Sequence, residues 1–440
     1  MLAHALLNIG LLLLPPSSAL LLPPPPGPFP VALTVIPLTD PSRAANVLSP
    51  AASPAGPSGR RRILVSVFAP LAANDTTTTT TNSTLPGLCH LQTLPYMTPG
   101  VAASYGQQAA QFGLPADLYS RFDMQTCDAA ALPCRRVSPT RSGRHVSQGG
   151  GRASQQVVIL TPGLAESRLL YSGLARALAS TGLLVVTVDH PLEAPVVEFP
   201  DGSVVPGVNV SSEDQVMLNR IVQVRIDDIS FLLERLPAVL PASLRAHLPQ
   251  PLPRRPRALI LGHSFGGTAA AAMVMSKSVQ RHEAHDPRSR DVLAAVNLDG
   301  RLLIPQQKDG PGDKKELRGP SAPVVMLGRP THRAEDPTWD AVWPRIRAPA
   351  TELALAGAAH ASFTDRPLLF LGAAPQLGLS EEQQKMVELL VGTIPAHRLE
   401  EVLHGVVARV LDLAITGDSE PLKQVHEAFQ EVSVVRSRGL

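Results

Sequence analysis

Residues 258–275 read Ala-Leu-Ile-Leu-Gly-His-Ser-Phe-Gly-Gly-Thr-Ala-Ala-Ala-Ala-Met-Val-Met. A strand-like apolar run, a Gly-x-Ser-x-Gly pentapeptide and a helix-forming Ala/Met run follow one another without a spacer. A chain that leaves a buried strand and enters a helix at once turns within about one residue. Glycines two before and two after that residue let the two backbones approach without Cβ clashes. Ser264 stands at the bend, where its hydroxyl is pushed out above the sheet, facing the N–H of Phe265 and the positive end of the following helix. The pentapeptide alone also occurs in ordinary glycine-rich loops, as a structural turn serine. Its strand-to-helix context points instead to a nucleophilic Ser264.

The rest of the chain repeats this alternation. Continuous apolar runs at 156–160, 183–189, 258–261, 292–298, 323–327 and 350–355 read as buried strands, with further strands at 31–38 and 63–68. Helical periodicity is present at 167–180, 216–236, 380–390 and 398–413, and one more helical stretch is expected near 106–121. Strand and helix in turn predict an α/β domain with a mostly parallel, doubly wound sheet flanked by helices. It is expected to occupy residues 20–440 as one unit, with irregular insertions near 69–155 and 305–320. Many of the 44 prolines cluster at 14–30, 248–256 and 309–323, which read as loops.

Composition narrows the partners. The net charge is +2 with no long basic run, which argues against nucleic acid. Arg60-Arg61-Arg62 reads as a solvated strand entry. Residues 5–14 form an apolar core too short to span a bilayer, ended by Pro15 and Pro16 and followed by the small residues Ser17-Ser18-Ala19. The expectation is a signal peptide over 1–19 and a secreted protein. No later stretch reaches the length of a membrane span, so membrane contact is limited to transient adsorption at a lipid surface. Sequons at Asn74, Asn82 and Asn209 agree with export. Cys89, Cys127 and Cys134 allow three pairings; 127–134 closes the shortest loop, and the sequence leaves the choice open. No Cys/His spacing suits zinc, and no cofactor is signalled.

A serine nucleophile needs a base and a buried carboxylate, which in a sheet of this type follow it in the order acid, then histidine, on loops after strand ends. His360, in Leu355-Ala-Gly-Ala-Ala-His-Ala-Ser-Phe363, directly follows a strand and is the expected base. His332, His397 and His404 read as surface residues. Asp299 ends the strand Ala294-Ala-Val-Asn-Leu-Asp-Gly300 and is the favoured acid; Glu335 and Asp336, after the next strand, are the alternative. The expected oxyanion donors are the backbone N–H groups of Leu164, in Thr161-Pro-Gly-Leu164, and of Phe265. Arg168 and Arg301 are candidates to meet a phosphate, although each reads first as a surface arginine.

Taken together, Gly262-His-Ser-Phe-Gly-Gly267, Asn297-Leu-Asp-Gly300 and His360-Ala-Ser-Phe-Thr-Asp365 resemble the plasma-type platelet-activating factor acetylhydrolases, the calcium-independent group VII phospholipases A2, and among them the fungal secreted members. Pro162-Gly-Leu164 with Ser167-Arg-Leu-Leu-Tyr171, Val188-Asp-His-Pro191 and Gln223-Val-Arg-Ile-Asp-Asp228 extend the likeness. The resemblance implies the α/β-hydrolase fold, Ser264 as nucleophile, Asp299 as acid, His360 as base, and main-chain donors at Leu164 and Phe265. It also implies cofactor-free removal of an sn-2 acetyl, or a short or oxidised acyl, from a glycerophospholipid. One departure is Pro162-Gly163, where the animal members carry His-Gly. A secreted short-chain or cutinase-like polyester hydrolase, and a non-catalytic binding protein of the same fold, are the rival expectations.

Overall fold

The computed structural model describes residues 19–45, 59–72, 89–133, 154–275, 291–303, 322–346, 348–372 and 374–440. Residues 1–18, Asn74, Asn82, Cys134 and the 305–320 insertion lie outside them; Asn209 lies within and is exposed.

Among the described residues, the continuous apolar runs form the middle of a 12-stranded sheet. In chain order these are β6 (Val157–Thr161), β7 (Leu184–Asp189), β10 (Ala258–His263), β11 (Val292–Leu298), β12 (Val324–Gly328) and β13 (Ala350–Leu355). They lie side by side in the order β7-β6-β10-β11-β12-β13, all parallel. Parallel neighbours need long crossovers. Helix α2 (Ser172–Ser180) supplies the one from β6 to β7, α3 (Gln215–Val239) with the short α4 (Ala242–Ala246) the one from β7 to β10, and α5 (Phe265–Met275) leads from β10 towards β11. The chain therefore winds outward from β6 in one direction and then, from β10, in the other. This is the doubly wound α/β arrangement of the α/β-hydrolase fold.

Both faces of the sheet are covered. Ile221 and Ile229 of α3 and Ala271 of α5 belong to one core; Leu178 of α2 and Val406 of the helix Ala396–Thr416 belong to the other. Antiparallel strands close the sides. The hairpin β2 (Val31–Ala44) and β3 (Arg60–Pro70) pairs through β3 with β7, and β14 (Val432–Arg438) pairs with β13. Beyond β2 come β5 (Phe122–Asp128), then β1 (Leu20–Leu21) and β4 (Leu91–Pro95). A separate hairpin joins β8 (Val196–Glu198) to β9 (Val204–Pro206).

Three expectations need correction. The region 69–155 is not simply irregular, since it contributes β4 and β5 to the sheet; a disulfide from Cys89 to Cys127 ties its start to β5. Its helix, α1, spans Pro99–Ala110 rather than 106–121, because Pro99 is preset for a first turn and Gly113 (φ 74°) follows the helix end. Only a 3₁₀ turn, Leu118–Arg121, occupies the later part. Of the β3 arginines, Arg60 is exposed as expected, but Arg61 and Arg62 are not solvated. Arg61 is 1% exposed and donates to Asp228 Oδ2 at 2.6 Å, while Arg62 donates to Asp201 Oδ2 at 2.7 Å and lies over the Phe199 ring.

Two carboxyls, one on the helix Ala396–Thr416 and one in the loop after β13, have raised pKa values. Asp365 accepts from Tyr96 Oη at 2.7 Å and from the N–H groups of Gly173 and Leu174 at 2.6 and 3.0 Å. Burial nonetheless raises it to about 6, and burial with the Asp365 charge raises Glu400 to about 7. Each holds its proton more tightly folded than unfolded, so the stability this confers is present in acid and is lost as the pH climbs to about 7 for Glu400. Glu400→Gln removes one of these titrations. Its melting temperature relative to the unsubstituted protein should rise between pH 4.5 and 7.5; a constant difference would contradict the assignment.

Candidate active site

All six parallel strands point their C-terminal ends at one edge, and the chemistry-bearing loops gather there. The turn between β10 and α5 is as tight as its glycines require. A Cβ on Gly262 would stand 2.1 Å from the Gly266 carbonyl carbon, and one on Gly266 would stand 2.0 Å from the Thr161 carbonyl oxygen. Ser264 takes φ 52°, a left-handed conformation that costs a non-glycine residue about 1–2 kcal/mol. Its N–H donates to the Leu298 carbonyl at 2.8 Å, and its carbonyl accepts from Thr268 N–H at 3.2 Å, so the bend is held at both ends.

His360 follows β13 in a short 3₁₀ turn, His360–Phe363. Its Nε2 lies 3.0 Å from Ser264 Oγ, and its Nδ1 lies 2.6 Å from Asp299 Oδ2. With Nδ1 protonated towards the carboxylate, Nε2 is left to accept the serine hydroxyl proton. Asp299 itself sits at φ 56° directly after β11, with its side chain buried. It also accepts from Arg329 N–H at 2.9 Å, from the Arg329 guanidinium, and from His332 Nδ1 at 3.0 Å. Burial by itself would raise its pKa. The hydrogen bonds from His332 and His360, with the Arg329 amide, outweigh that and hold it well below the usual carboxylate range.

Thus Ser264, His360 and Asp299 are brought together, and the alternative acids are not. Glu335 turns outward onto the Arg329 guanidinium, and Asp336 lies 3.5 Å from Arg301. His332 is a correction: it is no surface residue but is 4% exposed, its ring 4.0 Å from that of Trp339. His404 is half-buried, and burial lowers it to about 4, whereas His397 is exposed as expected. Arg168 is likewise buried and ion-paired with Asp189, so it faces no ligand; Arg301 stays on the surface, at the rim of the site.

Above Ser264 opens a cleft of about 500 Å³, walled by Leu164, Leu218 and Phe265 and rimmed by Glu213, Arg301 and Asp336. Among the described residues, the N–H groups of Leu164 and Phe265 donate to no protein acceptor. A buried polar cluster backs the loop that carries Leu164. Tyr171 Oη accepts from Gly163 N–H at 3.0 Å and turns its own hydrogen towards two acceptors, Glu166 and His263 Nδ1, the latter 2.7 Å from Tyr171 Oη and 3.2 Å from Glu166 Oε2. The other ring nitrogen, His263 Nε2, donates to the His360 carbonyl at 3.0 Å.

No family model matches this chain. It is similar to a curated protein of Arthroderma benhamiae described as a probable 1-alkyl-2-acetylglycerophosphocholine esterase: 28% identical over 301 residues, which is 67% of this chain and 69% of that one. Among solved structures, a ferulic acid esterase from Streptomyces cinnamoneus matches with a TM-score of 0.61 at 23% identity, covering 94% of this chain and 99% of the other. The chain is a serine-type ester hydrolase of the α/β-hydrolase fold. At that level of identity the solved structure speaks for the fold alone.

Sequence reasoning passed over Arg329 and misplaced His332, and it also passed over Glu166 and Arg225. A signal was present for the first two, since Gly328-Arg-Pro-Thr-His332 leaves the C-terminal end of a strand on the edge where Ser264 lies. The strain at Ser264 gives a direct test. Alanine keeps the cost of a positive φ and glycine does not, so Ser264→Gly should be more stable than Ser264→Ala by about 1 kcal/mol. Equal stabilities in chemical denaturation would contradict a strained bend.

Proposed function

We propose that Ser264 is the nucleophile, His360 its general base and Asp299 the carboxylate that orients and balances the imidazole, in an enzyme that removes a short acyl group from the sn-2 position of a glycerophospholipid. The observation that carries the chemistry is the continuous path from Ser264 Oγ through His360 to Asp299, with distances of 3.0 and 2.6 Å, opening into a cleft. Ser264 Oγ attacks the ester carbonyl while His360 Nε2 takes its proton. The tetrahedral oxyanion lies against the Leu164 and Phe265 N–H groups. Its collapse breaks the ester bond, and the leaving alkoxide, a lysophospholipid, takes the proton from His360. Water then repeats the sequence on the acyl-enzyme.

The substrate class is supported by the Arthroderma relative and by the character of the cleft. Apolar walls suit a short acyl chain, and a rim carrying both Arg301 and Glu213 suits a zwitterionic headgroup. We also propose that the protein works outside the reducing cytosol, a reading supported by the Cys89–Cys127 disulfide. Contact with the lipid surface would then be peripheral: no helix among the described residues is long and apolar enough to cross a membrane.

Ser264→Ala is expected to lower kcat by about 10⁴-fold or more with the fold intact, and Asp299→Asn by roughly 10³–10⁴-fold. Activity surviving Ser264→Ala would remove the assignment. A panel of 2-acetyl and long-chain phosphatidylcholines, a short p-nitrophenyl ester and a feruloyl ester tests the substrate. Preference for the 2-acetyl phospholipid is expected; equal or better hydrolysis of the simple esters would favour a general esterase.

A further inference from the structure

Gly163, just before the Leu164 N–H, is gripped on both sides. Its own N–H donates to Tyr171 Oη at 3.0 Å, and its carbonyl accepts from Arg225 Nη2 at 3.1 Å. The Pro162 carbonyl accepts from Nη1 of the same guanidinium, which also lies 3.4 Å from Thr161 Oγ1. Arg225 projects from α3, is 1% exposed, and is held by Glu193, whose Oε2 accepts from Nε at 2.7 Å. Its guanidinium carbon stands 5.2 Å from the centre of the Phe265 ring. One buried cation therefore bears on both segments whose amides face the cleft.

The geometry has a direct consequence. A trans peptide sets C=O and N–H on opposite sides, and among the described residues no peptide bond is cis. Anchoring the Gly163 carbonyl towards α3 thus sends the Leu164 N–H the other way, to the side where Leu164 and Ser264 line the same cleft. A Cβ on Gly163 would stand 3.4 Å from Ser264 Cβ, so this peptide runs within contact of the serine. A cation on the carbonyl oxygen also polarises the peptide and makes its N–H a stronger donor.

We propose that Arg225 is the positioning residue of the oxyanion loop, its fork fixing Pro162-Gly163-Leu164 so that the Leu164 amide meets the oxyanion of the tetrahedral intermediate. The proposal rests on Ser264 being the nucleophile. It carries a kinetic signature, because negative charge on that oxygen exists only after attack. Disturbing the loop lowers kcat and leaves KM almost unchanged.

Arg225→Lys keeps the cation near Glu193 but gives up the planar fork that reaches two carbonyls together. With the 2-acetyl phospholipid and with a p-nitrophenyl ester, kcat is expected to fall about 10–100-fold with KM within about twofold. Affinity for an alkyl trifluoromethyl ketone, which adds to the serine and mimics the oxyanion, should fall by a similar factor. Glu193→Gln, which loosens the guanidinium while leaving the fork, should show a smaller fall of the same kind and decides the matter if the lysine variant does not fold. A folded variant with unchanged kcat and unchanged ketone affinity, or with a raised KM alone, overturns the proposal. Failure of the underlying reading looks different: the unsubstituted protein would resist a fluorophosphonate probe, or Ser264→Ala would retain activity.

Discussion

The Asp299 carboxylate is the point on which three loops converge. It stands at the end of β11, draws in Arg329 and His332 from the loop after β12, and draws in His360 from the loop after β13. An ionised carboxylate taken out of water costs several kcal/mol unless donors surround it. Here four donors do so: one amide, one guanidinium and two imidazoles. Removing the charge would leave those donors unsatisfied and release the loops from one another. Arg329 Nη1 and His360 Nδ1 also approach to 3.4 Å, but both carry hydrogen towards the same oxygen. Their contact is a shared acceptor, not a bond between them. In the proposed mechanism, Arg329 shares the negative charge that would balance a His360 imidazolium, so the carboxylate would serve architecture and chemistry together.

A second set of buried charges organises the opposite side of Ser264. Asp228 of α3 binds Arg61 of β3 and His190 after β7, and His190 reaches on to Thr161 Oγ1 at 3.1 Å. Burial keeps the His190 pKa low against the pull of Asp228, which favours a neutral ring bridging a carboxylate and a hydroxyl. Arg168 with Asp189 and Arg225 with Glu193 complete the set. Buried ion pairs are poor sources of net stability, because desolvation cancels most of the attraction. Their value here is positional: each crosses from a strand end or loop to a neighbouring element, and together they hold the loop over Ser264 that the sheet alone would leave free.

This explains what was legible in the sequence. The parallel strands were readable because burial on both faces demands continuous apolar runs, and Ser264 was readable because the strand, bend and helix are contiguous. Asp299 stood out from Glu335 because it abuts its strand, so the end of β11 fixes where its side chain can go. Arg61 and His332 were misread for the opposite reason. Their partners lie 167 and 33 residues away, and nothing local distinguishes a buried, paired charge from a solvated one. The helix α1 lies earlier than expected because Pro99 presets its first turn, a start signal that the helical look of the following Ala/Gln run masks. Strand β14, with most of its side chains at least partly open to solvent, carries no unbroken apolar run to announce it.

The two charged systems meet through His263, the residue before the bend. Its Nε2–H on the His360 carbonyl joins it to the loop after β13, and its Nδ1 faces Tyr171 and Glu166 beneath the Leu164 loop. Tyr171 has one proton for two neighbours, Glu166 and His263 Nδ1. Arg366 answers Glu166 from the far side at 2.9 Å, keeping it ionised despite burial. Burial lowers the His263 pKa and favours the neutral ring, so Nδ1 arrives as an acceptor and the tyrosine proton is shared. A displacement of either loop would break this chain at a buried, unsolvated point, where an unpaired polar group costs about 1–3 kcal/mol. The His360 and Leu164 loops are therefore constrained relative to each other, not only to the sheet. In the proposed mechanism, holding them in one geometry before substrate arrives would leave little reorganisation for the moment when charge develops on the carbonyl oxygen.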